Sequence, residues 1–375
     1  MAETDIYRAL QRHLDRMPVG FPATASGVEI RILKHLFTPE EARIALALSA
    51  LPDSIAVIRR RVGPAMSREA LGDGLERMAR RGLIHRVPAA RGARYGKLPF
   101  VVGIYEAQVN RLTAEFERDV LQYFNEALGA ALHTKSTPQM RTVPVNRSIA
   151  LPERTVGSYD DIRETVRASA GPFAVMNCLC QQGKDLVGEP CHQTDTREHC
   201  LVFSSAATSM VEREAARYVT RDEMLGFLEL ADREGLVLQP QNTQDPLFVC
   251  CCCGCCCGVL ATAKKLPRPA EFFATNYDVR VDPALCHECG TCVTRCQMQA
   301  VTANGGAARV DLTRCIGCGL CISTCPSGAM RLLKKADEKV PPKDTGRLYV
   351  QIFRERYGTL GVAAAVARKL VGLKT

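Results

Sequence analysis

The first 177 residues of this 375-residue chain contain no cysteine, and neither do the last 50. All 19 therefore fall in one contiguous stretch from Cys178 to Cys325. No run reaches the ~18 consecutive apolar residues of a membrane span; the nearest, Leu247 to Ala263, owes its apolar character largely to cysteine. Missing too are a G-x4-G-K-S/T phosphate loop, a G-x-G-x-x-G dinucleotide fingerprint, a C-x3-C-x2-C radical motif and any nucleophile-base constellation. These absences set aside nucleotide-driven, dinucleotide-dependent and radical enzymes as classes the sequence supports. The opening "MAETDIYRAL" puts Glu3 and Asp5 where an export signal needs basic residues followed by an apolar core. The expectation is a cytoplasmic protein, in which thiols stay reduced and clustered cysteines act as metal ligands rather than disulfides.

Length and an ordinary hydrophobic content suit two or three folded domains. The firmest motif is a pair of runs. Cys286, Cys289, Cys292 and Cys296 follow C-x2-C-x2-C-x3-C, and Cys315, Cys318, Cys321 and Cys325 repeat it, with Pro326 closing the second. In the bacterial two-cluster ferredoxin pattern the fourth cysteine of each run ligates the other cluster. One [4Fe-4S] cubane is thus expected on Cys286, Cys289, Cys292 and Cys325, and its partner on Cys315, Cys318, Cys321 and Cys296. Three cysteines on a tight loop can cap three irons, and Gly290, Gly317 and Gly319 relieve the crowding. "VDPALCHECGTC" and "VDLTRCIGCGLC" align at an offset of 29 residues, a duplicated unit. Paired zinc sites are the bland alternative, disfavoured by the third cysteine and the C-P. Gln297 stands where a proline could follow Cys296.

Eleven cysteines remain. Cys178, Cys180, Cys191 and Cys200 form one group; "CCCCGCCC" supplies Cys250, Cys251, Cys252, Cys253, Cys255, Cys256 and Cys257. Between the groups, Thr220 and Glu223 form a capping box for a helix that Gly235 ends, and that helix is expected to bring them face to face. One or two additional iron-sulfur clusters are expected on these eleven, in preference to zinc or a structural thiol patch. Successive side chains diverge in an extended chain, so vicinal cysteines suggest two sites sharing a loop, or one cluster with bridging thiolates. His192, His199 and His287 read as outer hydrogen-bond donors rather than ligands.

Ahead of the cysteines, Thr38 caps a helix with Pro39 at its first position, a second helix spans about Ile55 to Arg61, and a third runs from Ser67 to Gly82. "LIHRV" and "KLPFVVGIY" flank a turn, so that three helices and a hairpin resemble the winged-helix fold over Thr38 to Tyr105. The first 100 residues hold 17 Lys and Arg against 10 Asp and Glu, including Arg59, Arg60, Arg61, Arg80, Arg81, Arg91 and Arg94. Such a surface can bind DNA phosphates. Glu69, Asp73 and Glu76 on the third helix oppose that, so packing or partner docking is the favoured reading. A long amphipathic helix, "IYEAQVNRLTAEFERDVLQYFNEALGAAL", and a proline-broken connector follow. A terminal helix, "GTLGVAAAVARKLVGLK", is too short to span a bilayer and is expected to dock on the protein, a partner or a membrane face.

"MPVGFPATASGVEIRILKHLFTPEEA", "NCLCQQGKDLVGEPC", "CCCCGCCCG" and the two ferredoxin runs together resemble a family of large bacterial 4Fe-4S dicluster proteins, loosely called polyferredoxins. The resemblance spans nearly the whole chain and implies electron transfer without a defined partner. The expected architecture is an α+β multidomain chain: an N-terminal segment (1–37), a winged-helix-like domain (38–105), a helix and connector (106–170), a cysteine-rich metal-binding domain (171–270), a two-cluster ferredoxin domain (271–335), and a linker with a C-terminal amphipathic helix (336–375). The expected function is relay of single electrons between redox partner proteins. The alternative is an iron-sulfur redox-sensing regulator that binds DNA through the winged helix.

Overall fold

The computed structural model describes residues 3–64, 66–134, 136–145 and 158–374. The chain divides into one unit of residues 1–135 with 349–375 and another of residues 136–348.

In the first unit, helices α1 (Glu3–Asp15) and α2 (Val28–Leu36) precede α3 (Pro39–Ala45). The Thr38 side chain accepts a hydrogen bond from the Glu41 amide, and the Glu41 carboxylate accepts one from the Thr38 amide, so both orphan donors at that helix start are satisfied. Strand β1 (Asp53–Ser54) leads into α4 (Ile55–Val62) and α5 (Arg68–Arg80), the latter capped by Ser67. β2 (Ile84–Val87) and β3 (Arg94–Lys97) complete a three-stranded antiparallel sheet in the order β1-β3-β2.

The second hairpin strand ends at Lys97, short of the expected "PFVVGIY". Pro99 has no amide to donate, and Val102 takes a left-handed φ of 56°, turning Phe100 and Ile104 into the core. The long helix likewise starts late, because Asn110 at φ 65° breaks it; Thr113 then caps α6 (Ala114–Tyr123). Phe21, Phe100 and Tyr123 form the aromatic centre, with ring centroids 5.2 Å apart for Phe21 and Phe100 and 4.9 Å for Phe21 and Tyr123. The part of the C-terminal helix (Thr345–Leu370, kinked at Gly358) that belongs to this unit, from Tyr349 on, docks by its basic residues. Arg356 donates to the Met17 carbonyl and the Asp15 carboxylate, and Lys369 to the Leu51 carbonyl and the Asp53 carboxylate. Its outer side leaves Leu360 and Leu370 exposed.

The second unit is built on an antiparallel sheet of β4 (Phe173–Asn177), β5 (Glu198–Phe203), β6 (Arg217–Val219), β7 (Val237–Pro240) and β8 (Phe248–Cys252), ordered β6-β4-β5-β8-β7. Helices α7 (Ile162–Ala168), α8 (Leu179–Leu186), α9 (Ser204–Glu212) and α10 (Arg221–Arg233) accompany it. α10 carries the Thr220–Glu223 capping box and packs on α7, β4, β5 and β7, burying Met224, Leu228 and Ala231 with Val175, Leu201 and Leu238. Beyond α11 (Gly258–Ala263), β9 (Tyr277–Val281) pairs with β12 (Met330–Lys334), enclosing β10 (Val301–Thr302), β11 (Arg309–Val310) and the short helices α12 (Thr291–Arg295) and α13 (Leu320–Ser323). α12 follows Gly290 at φ 73° and α13 follows Gly319 at φ 73°, so the 29-residue sequence offset is also the offset of the folded repeat.

Residues 136–145 of the connector run along this unit, with Val143 bridging Leu238 and Arg141 bridging Ala274; its remainder lies outside the described residues. Arg141 pairs with Asp160, and both are buried. The other Asp160 oxygen accepts from Asn276 Nδ2 at 3.2 Å. Burial pulls the Arg141 guanidinium below its usual range, and the carboxylate opposes this. Asp160→Ala, which leaves a buried cation unpaired, is expected to destabilise this unit by about 3–5 kcal/mol. Anaerobic urea denaturation checks this; an unchanged midpoint would mean that Arg141 finds other compensation.

Candidate metal centres

The eleven central cysteines meet because β5 and β8 are neighbours, with Cys200 opposite Cys250. Strand pairing, rather than α10, joins the two sequence groups. Alternation along β8 then sorts the thiols. Cys250 and Cys252 share one face; Cys251 faces the other way, buried opposite Leu238 in the apolar core, where desolvation pushes its thiol up. Cys251 joins neither sulfur group described below.

The first group is Cys191, Cys253, Cys255 and Cys256, whose sulfurs all lie within 4.8 Å of one another. Vicinal cysteines were expected to diverge, yet Cys255 and Cys256 contribute to the same group with sulfurs 3.6 Å apart. The reason is local: after Cys252 the strand ends and 254–256 form a turn, so extended-chain alternation no longer applies. The second group is a row. Cys180 meets Cys178 and Cys257, Cys257 meets Cys252, Cys252 meets Cys250, and Cys250 meets Cys200. The vicinal pairs Cys252-Cys253 and Cys256-Cys257 are thus split between groups.

Hydrogen bonding between neighbouring thiols shifts them in opposite directions within each group. Neighbouring thiols pull Cys255 down and push Cys253 and Cys256 up. In the row Cys257 and Cys250 fall while Cys180 and Cys252 rise. Anionic sulfurs enclosed among apolar side chains are the ligand form that a metal ion takes up.

Sequence reasoning missed the glutamines. Gln181, fully buried, directs Nε2 to Cys191 Sγ at 3.4 Å and Cys253 Sγ at 3.9 Å. Gln239 Nε2 lies 3.9 Å from Cys257 Sγ. The Gly254 amide donates to Gln297 Oε1 at 2.6 Å, and Gln297 Nε2 donates to Gln193 Oε1 at 2.9 Å. The residue that departs from the ferredoxin pattern therefore fastens the first ferredoxin run to the polycysteine turn. Only the departure itself was a signal.

The electrostatic contacts among the ferredoxin-run cysteines run mostly within two sets, with Cys321 also feeling Cys292. Cys292 feels Cys286, Cys289 and Cys325, whereas Cys318 and Cys315 feel Cys296. Cys289 is exposed, and the Thr291 hydroxyl and amide pull its thiol down. Cys315 and Cys321 are buried, and burial pushes the Cys318 thiol up to about 12. Amides serve the sulfurs: Ala300 donates to Cys296 Sγ at 3.1 Å and Ala308 to Cys286 Sγ at 3.5 Å. Gly290, Gly317 and Gly319 all take positive φ. At Gly317 an added Cβ would stand 2.2 Å from the Tyr277 carbonyl oxygen, so no other residue fits. Cys296 and Cys318 pack against the core that holds the polycysteine stretch, while Cys292, Cys315 and Cys321 lie in a second apolar cluster with Val279 and Met330, against which Cys286, Cys325 and again Cys296 pack.

Among the histidines, His199 is buried with Nε2 at 2.8 Å from the Thr196 carbonyl, and desolvation lowers its pKa. His192 and His287 are exposed, and none of the three belongs to the close four-sulfur group.

Residues 278–326, which contain all eight ferredoxin-run cysteines, match the family model of the 4Fe-4S dicluster domain. No curated protein and no solved structure matches the chain. The chain carries a 4Fe-4S dicluster domain, the mark of an iron-sulfur protein, and a separate group of four cysteines with the spacing of metal ligands. No helix among the described residues is long and apolar enough to cross a membrane.

The sorting of thiols is testable. Cys251→Ala should leave iron and sulfide content unchanged, whereas Gly254→Ala should lower it, because a Cβ there would meet the Gln297 carbonyl at 2.5 Å. Metal analysis of anaerobically purified variants checks both; loss of metal in Cys251→Ala would place its thiol in a site.

Proposed function

We propose that the protein relays single electrons between redox partner proteins. One [4Fe-4S] cluster is assigned to Cys286, Cys289, Cys292 and Cys325, and the other to Cys315, Cys318, Cys321 and Cys296. At least one further iron-sulfur cluster, of a kind with bridging thiolates, is assigned to the row Cys178, Cys180, Cys200, Cys250, Cys252 and Cys257, whose sulfurs meet too closely to cap four separate irons of a cubane. When bound, each cluster accepts or releases one electron with little rearrangement.

The observation that carries this reading is the gradient of exposure. The set containing exposed Cys289 lies where a partner can approach, between exposed Leu285 and Val293. The second set has no exposed cysteine: Cys315 and Cys321 are buried in the cluster that also holds Cys292, and half-buried Cys296 and Cys318 pack on the core of the polycysteine stretch. A chain of sites leading from surface to interior suits a conduit, and both the burial and the amide donors tune potential.

The order helix, strand, two helices and two strands over 38–97 supports a winged-helix reading of the N-terminal domain. Its basic residues favour docking over DNA. Arg61 is tied to Asp53 at 2.8 Å, Arg81 to Glu41 at 2.9 Å, and Glu69 and Asp73 are exposed on the third helix of this domain. The redox-sensing regulator is thus the second reading.

Cys318→Ser should remove about four irons and compromise the neighbouring cluster, because Cys296 and Cys325 cross between the sites. Unchanged iron content would refute the assignment. Arg91→Ala with Arg94→Ala should leave a negligible DNA affinity as it was. Tight, strongly salt-dependent DNA binding by the wild type, lost in that variant, would favour the regulator.

A further inference from the structure

The four-sulfur group and the ferredoxin runs differ in spacing. Cys191 Sγ lies 3.7 Å from Cys253 Sγ and 3.7 Å from Cys255 Sγ, and Cys255 Sγ lies 3.6 Å from Cys256 Sγ. Thiolates held tetrahedrally about 2.3 Å from one ion stand about 3.8 Å apart. The thiolates of a cubane cap four different irons and stand roughly 6 Å apart. Among the described residues the ferredoxin-run cysteines form no group within 4.8 Å, and this group alone does. The four-sulfur group therefore has the spacing of a one-ion site, which the ferredoxin runs do not share.

The surroundings suit a closed tetrathiolate site. Cys191, Cys253 and Cys256 are buried and Cys255 is half-buried. Gln181 Nε2 and the Gln193 amide, each 3.4 Å from Cys191 Sγ, direct N–H groups at sulfur. The Arg197 guanidinium adds positive charge near Cys191 and Cys256. With all four positions supplied by thiolate, no position is open for substrate, which is the form of a structural rather than a catalytic ion.

We propose that Cys191, Cys253, Cys255 and Cys256 hold a single tetrahedral transition-metal ion, zinc or iron, distinct from every iron-sulfur cluster of the chain. This rests on the reading of the central cysteines as metal ligands and separates them into a one-ion site and the cluster-bearing row. The ion ties the segment after α8 to the polycysteine turn. It thereby holds Gly254 against Gln297, where the first ferredoxin run is fastened.

The test uses the full-length chain purified anaerobically, with Cys191→Ser and Cys255→Ser beside the wild type, and measures iron, zinc and acid-labile sulfide. Each variant should lose about one metal ion per chain with its sulfide unchanged. X-ray absorption of the wild type tells the sources apart: a zinc edge with four sulfurs and no metal neighbour, or a mononuclear iron component in the Mössbauer spectrum. This measurement stands even if a variant fails to fold. Loss of about four irons with four sulfides from either variant would overturn the proposal in favour of a cubane. So would a wild type with neither zinc nor mononuclear iron. Failure of the electron-transfer reading would appear separately, as a chain without labile sulfide.

Discussion

Thiolates repel one another, and burial raises the free energy of each anion, yet this chain places all 19 of its cysteines in one of its two units and leaves only Cys289 exposed. Everything around them answers that constraint. Backbone amides and glutamine side chains point at sulfur, glycines let the chain approach closely, and hydrogen bonds between neighbouring thiols lower the pKa of some and raise that of others. On the function proposed above, cations or clusters would complete the neutralisation, and metal uptake would then be coupled to folding of this unit.

The antiparallel sheet is the device that makes such crowding orderly. Cys200 and Cys250 are opposite one another, and Cys252 follows on the same face while Cys251 goes to the core. The turn at 254–256 then sends Cys255 and Cys256 to a different group from Cys252 and Cys257. Gln297 ties that turn to the first ferredoxin run, and Arg295 ties the same run to the Asp232 and Arg233 carbonyls at the end of α10. The dicluster segment is thereby fixed against the polycysteine centre by hydrogen bonds on both sides of Cys296.

The dicluster domain was legible because its motif is local: the spacing of the two runs and their 29-residue duplication are properties of the sequence itself. The capping boxes at Thr38 and Thr220 were legible for the same reason. Grouping of the other eleven was not, since it depends on the register between β5 and β8 and on one turn, neither of which leaves a periodic signal. Cys251 has the same neighbours in sequence as a ligand would, and only strand alternation removes it. Asn110 and Val102, which shorten an expected helix and strand, take left-handed conformations that composition does not announce.

The central claim is one-electron carriage by clusters graded from the surface inward. Anaerobic reductive titration of the full-length chain, followed by electron paramagnetic resonance, tests it most directly. The account predicts successive one-electron steps giving magnetically interacting signals of two neighbouring reduced [4Fe-4S] clusters at low potential. A chain that holds metal and sulfide but takes up no electrons across the range accessible to physiological reductants would contradict it.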